Sequence, residues 1–317
     1  MSNIVIVTGA SGYIGGEIAL KLKDAGHTVI GIDRRAQPKQ LQDVFGQFIE
    51  NDFVHDEAMA AIVKAQPRAI IHCAGTSLVG PSMSNPAEYY DNNVVKTIRL
   101  LDIVRRALPH TRVIFSSSAS VYGTPIMNPC HEVDPKEPIS PYGESKLIIE
   151  QVLESYRRAY NSDYVAFRYF NACSADSKGR HGQEPGATHI IARVLESMRD
   201  KKPFTLNGTD YSTEDGTCVR DYIHVEDIAR AHIAALDTSI PAGVYNLGTA
   251  NGTSNAEIID IARTITGQPL DVEVGDRRLG DPDMLTAGAD KFTKLCPDWK
   301  QFNLQDIITH AWAWYNR

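Results

Sequence analysis

Five short apolar runs mark the first part of the chain, NIVIVTG, HTVIGID, RAIIHCAG, TRVIFSSS and DYVAFRYF. Between them lie amphipathic segments such as YIGGEIALKLKDAG, PAEYYDNNVVKTIRLLDIVRRAL and YGESKLIIEQVLESYRRAY. Strands separated by about ten to twenty helical residues have to return parallel through right-handed crossovers, which puts helices on both faces of one sheet. The alternation therefore implies an α/β chain built on a doubly wound parallel sheet. After about residue 172 the rhythm breaks. The stretch DSKGRHGQEP is polar and rich in turn residues, and the short strands KPFTLNG and CVRDYIHV then mix with the helices VEDIARAHIAAL and NAEIIDIARTIT. The expected organisation is a first domain over 1–172 and a smaller α/β domain over 173–317, with a segment near 219–247 returning to the first domain.

The first strand runs into TGASGYIGGE, which sets Gly9, Gly12 and Gly15 between a strand and a helix. At that position glycines serve a tight turn, a close backbone approach to a pyrophosphate and close helix–strand packing, the fingerprint of a Rossmann dinucleotide site. The helix start, with Tyr13 and Ile14, offers N–H groups and a positive dipole end to phosphate. HTVIGID ends the second strand at Asp33, where a carboxylate accepts from the ribose hydroxyls of NAD and repels a 2′-phosphate. Arg34 and Arg35 follow at once and keep NADP in view as the alternative. Asn51 and Asp52 follow the third strand, and Cys73, Ala74 and Gly75 follow the fourth. Both groups lie at carboxyl ends of parallel strands, the edge at which such sheets bind ligands.

SPYGESK places Tyr142 and Lys146 four residues apart, behind prolines at 138 and 141 that punctuate a helix start. Residues at i and i+4 share a helix face, so the ammonium and the phenol are neighbours. A phenol titrates near about 10, and a nearby cation, from Lys146 and an oxidised nicotinamide, favours its anion. Tyr142 is thereby a base near neutral pH. The run Ser116 to Ser118 ends the fifth strand and can present a hydroxyl to the same site. A tyrosine and a lysine at this spacing are common on solvated helices; the glycine loop, Asp33 and the strand-end serines in order turn the pair into a hydride-transfer site.

Net charge is −7, and pairs such as Arg105-Arg106 and Arg277-Arg278 are too short to form a basic patch. Neither nucleic acid nor an anionic membrane is an expected partner. No apolar stretch reaches the length of a membrane span, and no basic leader followed by an apolar core opens the chain, so a cytoplasmic location is expected. The five cysteines are scattered singly and the ten histidines lack ligand spacing, which argues for free thiols and no structural metal.

These motifs, with HCAG before PAEYYDNNVVKT, FSSSASVYG, SPYGESKLIIEQ, FRYFNACSADSKGRHGQEP, TEDGTCVRDYIHVEDIARAH, YNLGTANGTSNAEI and DRRLGDP, resemble the extended short-chain dehydrogenase/reductase family. Within it the chain is similar to the UDP-galactose (UDP-glucose) 4-epimerases, and TEDGTCVRDYIHV is the most specific stretch. The resemblance implies NAD as cofactor, a UDP-sugar as substrate, 4-epimerisation through a transient 4-keto sugar, and a homodimer. It makes Tyr142 the base, Lys146 its electrostatic partner and Ser118 the hydroxyl at the sugar 4-OH. Asp52, Phe53, Asn92, Ser116 and Tyr169 join the cofactor set, and Asn171, His189, Ile190, Arg220, Arg278, Asp281 and Leu285 would hold the nucleotide sugar. Three positions depart from the family pattern: Ser77 stands where a lysine is usual, Arg34 where an asparagine is usual, and Asn207 where an aromatic is common. The alternatives are a 4-epimerase of another UDP-sugar, such as UDP-N-acetylglucosamine, UDP-arabinose or UDP-glucuronate, and a non-catalytic sensor of NAD(H).

Overall fold

The computed structural model describes residues 2–277 and 281–317 of the 317. The chain divides into two compact units. One comprises Met1–Gly123, Pro135–Tyr169 and Ala229–Tyr245; the other comprises Thr124–Asp134, Phe170–Ile228 and Asn246–Arg317.

In the first unit the five apolar runs become strands β1 (Ile4–Thr8), β2 (Thr28–Asp33), β4 (Ala69–His72), β5 (Arg112–Ser118) and β6 (Tyr164–Tyr169), and the stretch QFIE adds β3 (Gln47–Glu50). They lie in a seven-stranded sheet whose order is Gly243–Leu247, β6, β5, β4, β1, β2, β3. The pairs from β3 through β6 are all parallel. This is the doubly wound Rossmann sheet that the alternation implies. Parallel strands covered on both faces must be apolar throughout, and Val5, Ile6, Val7, Ile70, Ile71 and Ile114 are fully or almost fully buried. The helices Asp56–Ala65, Lys96–Ala107 and Pro141–Tyr160 close one core with Met59, Ile62, Leu100, Val104, Ile149 and Leu153. Strand order reverses between β1 and β4, so their loops diverge there and leave the crevice that α/β sheets use for ligands.

The second unit centres on the strand Val219–His224. It pairs antiparallel with Gly252–Ser254 and parallel with Asn171–Cys173 and Met284–Leu285. A separate parallel pair joins Phe204–Asn207 to Val272–Gly275. The helices Ile190–Asp200, Asn255–Thr266 and Leu304–Tyr315 supply a core of Ile191, Leu195, Ile258, Ile259, Ile307 and Ile308. The excursion Thr124–Asp134 is tied in through Cys130, whose N–H donates to the Thr286 carbonyl at 2.8 Å and whose own carbonyl accepts from Gly288 N–H at 2.6 Å. Among the described residues no helix is long and apolar enough to cross a membrane.

Candidate active site

The glycine loop is fixed by backbone geometry. Gly9 has φ +72°, and a Cβ there would lie 2.7 Å from the Ala74 nitrogen, so the turn at the end of β1 and the end of β4 approach each other only because that atom is missing. A Cβ on Gly15 would lie 2.2 Å from the Gly9 carbonyl oxygen, which is the close helix–strand packing foreseen for the third glycine. The helix Tyr13–Asp24 begins after Gly12 with no side-chain cap, and Tyr13 and Ile14 in its first turn are half-buried. A capless helix start beside a cradle of this kind suits an anionic phosphate. At the end of β2 the Asp33 carboxylate accepts from Ser11 N–H at 3.0 Å and from Arg35 N–H at 2.9 Å, so it is held beside the glycine loop; Arg34 is exposed. These features fit NAD.

After β3, Asp52 accepts from Lys96 Nζ at 2.9 Å. Its burial works against ionisation, but the Lys96 contact and the Val54 N–H outweigh that and hold the carboxyl below the usual range. Lys96 also donates to Asn92 Oδ1 at 2.9 Å, and Asn92 donates to Thr76 Oγ1 at 3.1 Å. Phe53 is buried with its ring edge-on to His72 at 4.9 Å. Cys73 and Ala74 are half-buried after β4 and Gly75 is exposed. The Cys73 thiol accepts from Ser116 Oγ at 3.1 Å, and burial pushes it up to about 11. The Ser116 hydroxyl is 2.8 Å from Tyr169 Oη, so these two nominated residues meet.

Two unnominated residues hold this edge together. Lys96 is four residues after Asn92 on one helix face, a spacing the sequence displays, and it ties Asn92 to Asp52. Asn93 is the second asparagine of DNN. Its Oδ1 accepts from Thr76 N–H at 2.8 Å, and its Nδ2 donates to the Thr76 carbonyl and to Ser145 Oγ, both at 3.0 Å.

The helix Pro141–Tyr160 starts with Pro141 in its first turn and Ser140 as N-cap, the Ser140 hydroxyl accepting from Gly143 N–H at 3.2 Å. That start presents Tyr142 and Lys146, both buried. The Lys146 ammonium donates to the Ser116 carbonyl at 2.8 Å and lies 5.8 Å from the centre of the Tyr142 ring. Burial lowers it to about 8, against the charges of Cys73 and Glu150. Burial raises the Tyr142 phenol above its ordinary value, and Ser118 beside it opposes that rise.

In the second unit the Arg220 guanidinium is bonded to Asp281 at 2.6 Å and to its neighbour's carbonyl, Val219 O, at 2.7 Å. Tyr211 Oη donates to the same aspartate at 3.3 Å. Leu285, half-buried, lies opposite Arg220 in the strand register. Asn171 donates to the Asp221 carbonyl at 3.1 Å. His189 is exposed and precedes the helix Ile190–Asp200, and Ile190 packs partly against that unit's core. Arg278 lies outside the described residues; Arg277 beside it stacks on the Tyr211 ring at 3.9 Å and pairs with Asp283 at 2.6 Å.

The family model for the NAD dependent epimerase/dehydratase family matches residues 5–248. The chain belongs to that family. It is 39% identical to a UDP-glucose 4-epimerase of Halalkalibacterium halodurans, over 98% of this chain and 95% of that one. Among solved structures it is similar to UDP-glucose 4-epimerase from Brucella ovis in complex with NAD, with a TM-score of 0.92, 37% identity and 99% of each chain covered. It is also similar to UDP-glucose 4-epimerase from Bifidobacterium longum in complex with NAD+ and UDP, with a TM-score of 0.89, 34% identity and 98% and 97% of the two chains covered.

Proposed function

We propose that the protein is an NAD-dependent isomerase that interconverts UDP-galactose and UDP-glucose through a transient 4-keto sugar. The observation that carries the reading is a buried phenol beside Ser118 and close to the Lys146 ammonium, in the unit whose glycine loop and Asp33 fit NAD. Relatives named UDP-glucose 4-epimerase match the chain over nearly its whole length.

Bound NAD supplies a hydride acceptor and a positive charge. Gly9, Gly12 and Gly15 give its phosphates a close backbone, with Asp33 for the adenosine ribose; Asp52, Phe53, Ala74, Asn92 and Tyr169 complete that set. Tyr142 takes the proton of the sugar 4-OH, and Ser118, beside the phenol, shares it. Lys146 holds the phenolate that accepts this proton. Tyr142 gives its proton back to the C4 oxygen; because the hydride also returns, to the opposite face of C4, net redox is zero and the cofactor need not leave. Arg220, Asn171, Leu285, Asp281 and Arg278, with His189 and Ile190, hold the nucleotide sugar. An arginine suits a pyrophosphate because its planar fork makes charge-assisted bonds. A homodimer in the cytoplasm completes the proposal; cysteines scattered singly along the sequence support the reducing compartment.

Purified protein incubated with UDP-galactose is expected to yield UDP-glucose by chromatography without added oxidant or reductant. Stoichiometric NADH release, or no product, overturns the reading.

A further inference from the structure

The serines that end β5 do not all face one way. Alternation along a strand sends Ser116 and Ser118 to one face and Ser117 to the other. The Ser117 hydroxyl donates to Glu150 Oε1 at 2.5 Å. Glu150 stands four residues after Lys146 on the helix Pro141–Tyr160, so the two share a face. Both of its oxygens are also engaged by Arg168, Nε to Oε1 at 3.0 Å and Nη2 to Oε2 at 2.6 Å. Arg168 is the register partner of Ser117 across β5 and β6. It donates from Nη1 to Tyr122 Oη at 2.8 Å, and Tyr122 ends the turn that Ser118 caps. The pair is almost wholly out of water, with 3% and 4% of the Arg168 and Glu150 side chains exposed.

A buried ion pair is seldom a net gain over apolar packing of the same volume, so stability alone does not account for this one. Its geometry does suggest a use. The catalytic helix is bonded to β5 twice, one turn apart, by Lys146 to the Ser116 carbonyl at 2.8 Å and by Glu150 to Ser117 at 2.5 Å. A single tie is a pivot; two fix both the height of the helix and its rotation.

We propose that Glu150, oriented by Arg168, is a positioning residue for the base: through Ser117 it locks the helix against β5, so that Tyr142 keeps its place beside Ser118 and Lys146 its place on Ser116. The proposal rests on the reading of Tyr142 and Lys146 as base and electrostatic partner. Lys146 is faced by His72 and Cys73 at the end of β4, by Phe115 and the Ser116 carbonyl on β5, and by Tyr142 and Glu150 on its own helix. Cys73 and Glu150 favour its charged form against burial. Removing the charge of Glu150 therefore makes Lys146 lose its proton at lower pH.

The test compares the full-length wild type with Ser117→Ala, Glu150→Gln and Glu150→Asp. Lysine side-chain NMR, assigned with Lys146→Met, gives the Lys146 titration midpoint; kcat and KM for UDP-galactose and the melting temperature are measured alongside. Glu150→Gln is expected to lower the midpoint by about half a pH unit, through the lost charge. Glu150→Asp keeps the charge and so the midpoint, but its shorter reach lowers kcat. Ser117→Ala removes one hydroxyl, leaves the ion pair, and is expected to lower kcat about tenfold with KM within about twofold, since a small misplacement of a reacting group acts on kcat. If Glu150→Gln does not fold, the kcat of Ser117→Ala decides. Wild-type kcat and midpoint with only a lower melting temperature make the pair plain packing and overturn the proposal. A wild type inert toward UDP-galactose overturns the functional reading instead, and the Lys146 midpoint in Glu150→Gln still decides the role of Glu150.

Discussion

Tyr142 starts from an unfavourable position for a base. Burial lifts its phenol above the ordinary value, Ser118 beside it pulls it back, and the Lys146 ammonium is 5.8 Å from the ring centre. Ionisation at neutral pH then needs the positive charge that oxidised NAD brings. Tyr142→Phe removes the hydroxyl and leaves the ring edge-on to Tyr89, at 6.4 Å, so the fold is expected to persist. Turnover is expected to fall by about a hundredfold to ten-thousandfold, the usual worth of a general acid–base group, with UDP binding by calorimetry unchanged. A loss below about tenfold means another base. Lys146 gives the sign of the alkaline limb. Its ammonium is lost as pH rises through about 8, so wild-type kcat is expected to decline there and the penalty of Lys146→Met to shrink between pH 7 and pH 10. A penalty constant across that range contradicts the electrostatic role. Leu285 bears on which sugar is accepted, because it sits opposite Arg220 in the strand register. Leu285→Ser is expected to raise kcat/KM for UDP-N-acetylglucosamine relative to UDP-galactose, and Leu285→Tyr to lower that ratio, since an acetamide needs added volume. Equal changes for both sugars make Leu285 packing.

At the scale of elements, the turn before the helix Lys96–Ala107 does more than lead into it. The π-helical stretch Tyr90–Val95 carries Asn93, which is 2% exposed and binds Thr76 twice and Ser145 once. It thereby connects the loop after β4 to the first turns of the catalytic helix. Asn93→Leu strands the Thr76 N–H and carbonyl, each costing roughly 1–3 kcal/mol when buried without a partner. The variant is expected to lose about 2 kcal/mol or more in urea unfolding and to hold NAD more weakly; unchanged stability assigns those backbone groups to solvent. Asn93 also shows where the sequence was silent. DNN offers two adjacent asparagines with no period to rank them, and only the winding of that turn decides which one meets Thr76 and Ser145. Most of the sheet was legible, because β1, β2, β4, β5 and β6 each carry an apolar run and Pro141 with Ser140 spells a helix start, whereas β3, QFIE, is half polar. The fate of Thr124–Asp134 was not. That stretch has neither helical nor strand period, and what holds it includes a pair of backbone bonds from Cys130, and the Asn128 side chain, to residues more than 150 positions later.

At the scale of the whole molecule, the residues nominated for the dinucleotide fall in the first unit, together with Tyr142, Lys146 and Ser118, whereas Asn171, His189, Arg220, Asp281 and Leu285 fall in the second. If the proposed roles are right, each ligand stabilises a different part of the chain, and hydrogen exchange followed residue by residue separates them. A ligand that binds only the native form stabilises by about 2.7 kcal/mol at a hundred times its Kd, which slows exchange through ligand-releasing openings about a hundredfold. NAD alone is expected to protect the glycine loop after β1, the turn after Asp33 and the stretch from Cys73 to Thr76. UDP alone is expected to protect the strand Val219–His224 around Arg220 and the strand Met284–Leu285. NADP is expected to need a higher concentration than NAD for the same effect, because the Asp33 carboxylate is pinned by Ser11 and Arg35 N–H groups at 3.0 and 2.9 Å and cannot swing away from a 2′-phosphate. Arg34 and Arg35 pull the other way, and Asp33→Asn is expected to narrow the gap between the two cofactors. Protection of the first unit alone by UDP contradicts the assignment of Arg220 and its neighbours to the nucleotide sugar, and equal protection by NAD and NADP hands the discrimination from Asp33 to the arginines.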